Sequence, residues 1–175
     1  KKPTPGSFAG GDLDGVREGL PYLKELGVSL LYLTPVFRSR SNHKYDVEDY
    51  YEVDACFGGN EALRALVKAA HAAGIRVMLD GVFNHCSNEN AIFQDVIRRG
   101  RRSPYYGWFY VDGDAACVER RNYLTFADVP YMPKLNTEND AVIDYFCQVG
   151  THWVTEYGID GWRLDVADEI APRFL

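Results

Sequence analysis

Residues 158–169 contain side chains whose types and spacing could do chemistry. The segment reads GIDGWRLDVADE and places Arg163 two residues before Asp165. Alternate residues of a strand share a face, so we expect Gly161, Arg163 and Asp165 to line up together. A neighbouring guanidinium keeps a carboxylate ionised and fixes its direction, as a carboxylate nucleophile requires. A salt bridge at a strand end has the same pattern, so the pair alone leaves both interpretations open.

A second polar cluster follows the apolar run at residues 75–82. Asp80 lies near the end of that run and is followed by Asn84 and His85 in DGVFNH. The carboxyl ends of parallel strands meet at one edge of a sheet, where catalytic residues gather. Taken alone, a capping aspartate and a hydrogen-bonded core histidine would explain this motif equally well.

Three helices and three strands must position these residues. Apolar spacing predicts helices at residues 12–26, 61–73 and 139–157, the first of them disturbed by Pro21. Nearly unbroken apolar runs predict strands at 28–36 and 75–82, covered on both faces, and residues 158–169 supply a third. This alternation predicts an α/β fold with a parallel sheet and right-handed crossovers. Three strands cannot close a barrel, but they could be part of one.

The regular alternation stops between residues 83 and 135, in a stretch rich in Tyr, Asp, Arg and Gly with no sustained period. A connection that long is usually functional or a small inserted subdomain. We therefore divide the chain into residues 1–85 (helix–strand–helix–strand), an insert at 86–133, and residues 134–175 (helix–strand).

Composition excludes several classes of function. The net charge is -6 and there is no basic patch, which argues against a nucleic-acid partner. No apolar run is long enough to span a membrane, and residues 1–15 lack the hydrophobic core of a signal peptide. The four cysteines form no CxxC pair, which favours free thiols in a reducing compartment. We therefore expect a cytoplasmic protein without a membrane partner.

Three short motifs together resemble glycoside hydrolase family 13, the α-amylase family: DGVFNH at 80–85, MPKLN at 132–136 and GWRLDVADE at 161–169. LLYLTPVF at 30–37 and HKYDVEDYYEVDACFG at 43–58 also look like this family. MPKLN and the last motif look most like the neopullulanase, cyclomaltodextrinase and maltogenic amylase group. The resemblance extends over nearly the whole chain from about Gly11. It implies a portion of a TIM (β/α)8 barrel with a small domain inserted after one strand.

The resemblance also implies roles for individual residues. Asp165 matches the nucleophile that forms a β-glucosyl–enzyme intermediate, and Arg163 matches the residue that orients it. Asp80 looks like the carboxylate that pairs with that arginine. His85 matches the residue that hydrogen-bonds the sugar in the cleaved subsite, and Tyr45 matches the tyrosine that stacks under its ring.

The resemblance also assigns roles to Glu169, on the acceptor side of the substrate, and to Asn84, as a candidate metal ligand. Glu169 occupies a position that the family associates with acceptor-side specificity. Asn84 lies where several amylases bind calcium, but those enzymes usually also use a histidine at position 169. The resemblance therefore implies no required cofactor and leaves calcium at Asn84 as an open alternative.

These residues imply part of the catalytic domain of a retaining α-glucan hydrolase or transglycosylase. It would cleave α-1,4 bonds, with α-1,6 bonds as a second linkage, in α-glucan oligosaccharides or cyclodextrins. The family places its general acid, a glutamate, on the strand after the nucleophile, and these 175 residues contain no identifiable acid. We therefore expect the chain to be inactive alone, and to self-associate or to depend on the remainder of a barrel.

Two other functions compete with this one. A non-catalytic amylase-like module for sugar binding or assembly would keep the fold but would not need the set formed by Asp165, Arg163, His85 and Tyr45. A metal-dependent hydrolase could use His43, Asp46, Asp80 and His85. The chain has no HxH or HExxH spacing, which disfavours that third interpretation.

Overall fold

The computed structural model describes Thr4, Ser7, Phe8 and residues 10–175. The α-helices are α1 Leu13–Glu18, α2 Leu20–Glu25, α3 Gly59–Ala72, α4 Ala91–Arg99 and α5 Asp140–Tyr157. The strands are β1 Leu30–Leu33, β2 Phe37–Arg38, β3 Asp49–Val53, β4 Arg76–Gly81 and β5 Gly161–Leu164. Short 3₁₀ turns lie at Ala55–Phe57, Gly100–Arg102, Tyr106–Trp108, Phe126–Asp128 and Ala167–Glu169.

The three predicted strands form one parallel sheet in the order β1–β4–β5. Leu33 pairs with Leu79 across the first pair of strands, and Asp80 pairs with Arg163 across the second. A separate antiparallel ribbon of β2 and β3 lies in the polar, aromatic stretch that follows β1. The parallel arrangement brings the carboxyl ends of β4 and β5 side by side.

The helix predicted over residues 12–26 is two short helices, so the prediction of one element is wrong. Asp12 caps α1, accepting a hydrogen bond from the Gly15 N–H at 2.8 Å. Pro21 lies in the first turn of α2, where the N–H that it lacks would have no intrahelical partner. The break at Gly19 follows because a proline cannot continue α1.

One face of the sheet packs against the helices and forms the core. Val77 and Leu79 of β4 are fully buried there, as are Leu63 and Leu66 of α3 and Trp153 of α5. Each fully buried aliphatic side chain stabilises the fold by about 1.5–3 kcal/mol before the cost in conformational entropy. The helices thus hold β4 from one side.

The opposite face of the sheet is open at β1. Leu30 and Tyr32 alternate with the half-buried Leu31 and Leu33 and are 37% and 43% exposed. The prediction that this strand is covered on both faces is therefore wrong for the described residues, because the helices lie on one side only. Asp80 and Arg163 point to this open side, since they share its strand parity.

The insert contains more regular structure than its sequence suggested. Helix α4 begins after Asn90, whose side chain accepts a hydrogen bond from the Ile92 N–H at 3.0 Å. Its Phe93 packs edge-on against Phe109 and Tyr123, with ring centroids 4.8 and 4.9 Å away. The prediction of an insert without a regular period missed this helix. In the described part of the chain, no helix is long and apolar enough to cross a membrane.

Candidate active site

One guanidinium joins the ends of β4 and β5. Nη1 of Arg163 lies 2.6 Å from Oδ1 of Asp165 and 3.0 Å from Oδ2 of Asp80. The hydrogen bond to Asp165, reinforced by the charge of Asp80, raises the pKa of Arg163, so the guanidinium stays charged. The two carboxylates therefore share one permanent cation. The alternation of residues along β5 predicts the contact between Arg163 and Asp165, and the family resemblance implied the pairing of Asp80 with Arg163.

Asp80 is the more enclosed of the two carboxylates, with 1% of its surface exposed. Its Oδ2 accepts hydrogen bonds from the hydroxyl groups of Tyr32 and, at 3.5 Å, of Tyr45. Burial raises the pKa of Asp80, while the Tyr32 hydrogen bond and the charge of Arg163 oppose that rise. These contacts make Asp80 an anchor for the arginine and leave it little access to a ligand.

Asp165 accepts fewer side-chain hydrogen bonds from the described residues than Asp80 does. Its side chain is hydrogen-bonded through Oδ1 to Arg163, and its backbone N–H donates to the Gly81 carbonyl at 3.0 Å. Within the described residues no hydrogen bond reaches Oδ2. The next residue, Val166, has a φ of 52°, a region that β-branched residues rarely adopt. This left-handed turn carries the chain away from the strand immediately after the carboxylate.

His85 is buried close to Asp165, whose charge acts on its ring. Its ring lies parallel to Phe126 of the insert, with centroids 4.5 Å apart and an interplanar angle of 5°. Burial lowers the pKa of His85 to about 4, against the opposing effect of the Asp165 charge, so the imidazole is neutral at pH 7. Its Nε2 is buried and finds no partner among the described residues.

Tyr50 of β3 fixes the loop that leaves β4. Its buried hydroxyl lies 2.9 Å from the carbonyl oxygens of Val82 and His85, so one proton is shared between two acceptors. The indole N–H of Trp153 donates to the Tyr50 carbonyl at 2.8 Å. Helix α5 and the ribbon together therefore hold the segment that carries Asn84 and His85.

Tyr45 is positioned by a tightly bonded turn. Lys44, which precedes it, has a φ of 64° and forms a buried ion pair with Asp54, 2.7 Å from Nζ to Oδ2. Burial alone would raise the pKa of Asp54, but hydrogen bonds from Lys44 and Cys56 outweigh it and lower the pKa to about 2. The ring of His43 stacks on Tyr45 at 6.0 Å.

Glu169, Asn84 and Lys134 lie together after the ends of β4 and β5. Nδ2 of Asn84 is 3.4 Å from Oε2 of Glu169, and Nζ of Lys134 is 2.5 Å from the same oxygen. The hydrogen bond from Lys134 lowers the pKa of Glu169. The sequence-based expectation gave Lys134 no role, although it stands inside the MPKLN motif.

The structure thus brings together all seven predicted site residues, and it adds four that sequence reasoning missed: Tyr32, Tyr50, Phe126 and Lys134. Tyr32 is the one residue with a polar tip in the segment Leu30–Leu33 (LLYL), and this was the signal available. Tyr50 and Phe126 offered no local signal.

The arrangement does not favour a metal centre. Across Thr4, Ser7, Phe8 and residues 10–175, no group of three or more His, Cys, Asp or Glu side chains could hold a metal ion. His43 and Asp46 approach each other at 3.9 Å, whereas Asp80 is engaged by Tyr32 and Arg163. Asp80 is therefore not free to act as a metal ligand, and the described residues show no metal-binding group built from these four side chains.

Functional side chains at the carboxyl ends of adjacent parallel strands are typical of α/β-barrel enzymes. The family model "Alpha amylase, catalytic domain" matches residues 3–174. The chain therefore belongs to the α-amylase family of glycoside hydrolases. Its fold is a portion of a TIM barrel, as predicted.

Individual relatives support this assignment. The chain is 54% identical over 173 residues to a cyclomaltodextrinase of Geobacillus thermopakistaniensis (strain MAS1), covering 98% of this chain and 29% of that protein. It is 46% identical over 174 residues to the intracellular maltogenic amylase of Bacillus subtilis (strain 168), covering 99% and 29%. These names belong to the predicted group.

A solved structure extends the likeness to three dimensions. Cyclic α-maltosyl-(1→6)-maltose hydrolase from Arthrobacter globiformis, in complex with cyclic α-maltosyl-(1→6)-maltose, matches with a TM-score of 0.93 and 39% identity. The match covers 99% of this chain and 39% of that one. The chain thus spans well under half the length of these relatives.

Proposed function

We propose that the whole protein is a retaining α-glucan hydrolase or transglycosylase whose nucleophile is Asp165. The observation that carries this proposal is the single guanidinium of Arg163 between Asp80 and Asp165. It donates a hydrogen bond to Oδ1 of Asp165, while Oδ2 has no hydrogen bond within the described residues. That second oxygen is available to a substrate carbon.

In this mechanism a carboxylate oxygen of Asp165 attacks the anomeric carbon as the bond to the leaving oxygen breaks. A protonated carboxyl gives its proton to the leaving oxygen, and a water or sugar hydroxyl, deprotonated by the same carboxyl, then displaces Asp165. Water gives hydrolysis, and a sugar hydroxyl gives transfer. Arg163 keeps the direction of the nucleophile constant through both steps, which preserves the geometry of attack.

Tyr45 and His85 are proposed to hold the sugar. The Tyr45 ring is half-buried, and its hydroxyl reaches Asp80, so the ring lies beside the carboxylate pair. His85 has a buried Nε2 without a partner in the described residues, and a buried polar atom of that kind needs one. A sugar hydroxyl at the nucleophile would supply it.

The general acid is proposed to lie outside these 175 residues. Asp80 is enclosed and hydrogen-bonded, and the pKa of Glu169 is lowered by Lys134, so neither is suited to deliver a proton. A retaining enzyme needs its two carboxyls about 5–5.5 Å apart. We therefore propose that this chain alone has no significant turnover.

Substrate and location are proposed from the relatives. Their names point to cyclic and linear α-glucans, so maltodextrins and cyclodextrins with α-1,4 bonds, and α-1,6 bonds as a second linkage, are the proposed substrates. A cytoplasmic location is supported by the relative named intracellular maltogenic amylase.

The open side of β1 is proposed to be covered by the remainder of a barrel. Leu30 and Tyr32 are exposed there on the face that carries Asp80, and exposed sheet faces of this kind invite association. The 175-residue chain by itself should therefore self-associate. A stable monomer in light scattering would contradict this.

The test compares reducing-sugar release from maltoheptaose and β-cyclodextrin by the full-length protein and its Asp165→Asn variant. Asp168→Asn is the matched control, because Asp168 is an exposed carboxylate in the following turn. We expect Asp165→Asn to lose about 10⁴-fold or more in kcat, as for other lost nucleophiles, and Asp168→Asn to stay close to wild type. Equal activity of the two variants would refute the proposed nucleophile. Sugar binding without turnover by wild type would favour the non-catalytic module.

A further inference from the structure

We propose that the ammonium group of Lys134 is a built-in cation that joins the segment returning from the insert to the end of β5, and that this position takes no calcium ion. The proposal goes beyond the glycosidase function, because it concerns what holds two chain segments together. It also disagrees with the calcium alternative that the α-amylase resemblance left open at Asn84.

The backbone fixes Lys134 beside Asn84. The chain returning from the insert runs antiparallel to the segment that leaves β4, with Lys134 paired opposite His85. The N–H of Leu135 donates to the Asn84 carbonyl at 2.9 Å, and the N–H of Lys134 donates to Leu124 at 2.9 Å. The lysine side chain therefore starts from a position that both segments determine.

Glu169 is fixed from the other side. The left-handed Val166 starts a 3₁₀ turn, in which the Glu169 N–H donates to the Val166 carbonyl at 3.0 Å. Just beyond, the N–H of Ala171 donates to the hydroxyl of Thr137 at 3.0 Å. The carboxylate of Glu169 is thereby turned towards Lys134, and the two groups meet at 2.5 Å.

This donor set does not fit calcium. Ca²⁺ takes about six to eight oxygen ligands, usually with several carboxylates among them. Here the carboxylate oxygen nearest Asn84 already accepts from an ammonium, and a metal ion on the same oxygen would be repelled by that charge. One observation favours a metal, namely that Oδ1 of Asn84 is buried without a partner in the described residues. The experiment must therefore separate a lysine cation from a calcium ion.

The test measures the Tm of the full-length protein in EDTA and in millimolar calcium. The variants are Lys134→Met, which removes the charge, and Lys134→Asp, which replaces it with a carboxylate. Lys68→Met is the control, since Lys68 is an exposed lysine of α3 that forms no ion pair with the described residues. Any calcium site elsewhere in the protein shifts all these proteins equally and cancels in the comparison.

We expect Lys134→Met to melt lower than wild type by on the order of 2 °C, equally with and without calcium, and Lys68→Met to melt as wild type does. Lys134→Asp should melt lower still in EDTA and regain stability in calcium, because its carboxylate joins Glu169 and Oδ1 of Asn84 as a metal ligand. Sensitised terbium luminescence should rise in Lys134→Asp relative to wild type.

Three results would overturn the proposal. The first is a Tm of Lys134→Met equal to that of wild type. This result can be judged even if Lys134→Asp does not fold. The second is a calcium-dependent rise in the wild-type Tm that Glu169→Gln abolishes. The third is a folded Lys134→Asp variant that does not respond to calcium.

Discussion

The ends of β4 and β5 each carry one carboxylate on the same arginine, but they are built differently. At the end of β4, Asp80 accepts from two tyrosines and from Arg163, and Tyr50 bonds the carbonyls of the following loop. At the end of β5, Asp165 has one side-chain donor among the described residues, Arg163, and is followed at once by Val166 in a left-handed conformation.

This difference in hydrogen bonding favours a supporting role for Asp80 and the proposed reacting role for Asp165. A carboxylate whose oxygens are already bonded gains nothing from a ligand and serves to direct its partner. A carboxylate with a free oxygen beside a permanent cation can form a new bond without first breaking an old one. The guanidinium of Arg163 thus contacts both the supporting carboxylate of Asp80 and the carboxylate of Asp165, the proposed nucleophile.

The largest expected effect is on stability, at Asp80. Asp80→Asn should lower the free energy of unfolding by about 3–4 kcal/mol, because it removes the negative charge paired with Arg163 and replaces one of the two acceptor oxygens with an NH2 donor that faces other donors. We take the low end of the usual range, since the Arg163 side chain is 42% exposed and water can solvate it. Asp165→Asn should change stability by less than about 1 kcal/mol. Urea unfolding of the full-length protein measures both, and equal losses would remove the contrast.

The next effect is a pH dependence from His85. Its pKa is about 4 in the folded protein and 6.5 in the unfolded chain. The unfolded chain therefore binds the proton first as pH falls below 6.5, and stability declines until the folded protein also binds it near pH 4. The loss at pH 4 relative to pH 8 should reach about 3 kcal/mol. Since His85→Gln lacks this group, its unfolding free energy should fall less over the same range. Parallel pH profiles of the two proteins would contradict the buried neutral imidazole.

A smaller effect is expected at Tyr50. Tyr50→Phe leaves two buried carbonyls without their shared donor and should cost about 1.5 kcal/mol. Tyr51→Phe is the matched control on the same strand, since no hydrogen bond of its hydroxyl to described residues is present. It should cost less than about 0.5 kcal/mol. Chemical denaturation of both variants tests whether the end of β4 is held more firmly than its surroundings.

The smallest effect is expected at Val166. Val166→Gly relieves a left-handed φ, and this gain should offset the lost packing and the added unfolded-state entropy, leaving a change within about 1 kcal/mol. The same change at Val82, which is fully buried and has a negative φ, has no strain to relieve and should cost clearly more. A larger loss of unfolding free energy at Val166 than at Val82 would show that the turn after β5 contributes more to stability than the loop after β4.

Strand geometry is local, so the sequence predicted that Arg163 and Asp165 share a face with Asp80 near the same edge, whereas the pairing of Asp80 with Arg163 was implied by the family resemblance. The parity of β5 puts Arg163 and Asp165 on one face, and a parallel neighbour ending in Asp80 must bring its polar residues to the same edge. The sheet and the three predicted helical regions also follow from the spacing of apolar residues along the sequence. The break at Pro21 was visible as a disturbance, but its consequence, two separate helices, required the full geometry.

The remaining contacts could not be predicted from local pattern. Lys134 meets Glu169 across 35 residues of chain, and Phe126 covers His85 from within an insert without a sustained period. Such pairs depend on how a long connection folds back, which its own composition does not determine. Tyr32 could not be assigned a partner for a different reason. Its hydroxyl is visible in an apolar strand, but the spacing of that strand does not indicate what the hydroxyl contacts.

The two ends of the insert lie side by side. The Cys86 N–H donates to the Pro133 carbonyl at 3.2 Å, next to the bond between Leu135 and Asn84. A loop closed in this way at its base gains or loses residues at a cost that grows only slowly with length. Evolution or an engineer could therefore exchange this segment as a unit, changing what covers His85 while the strand ends keep their register.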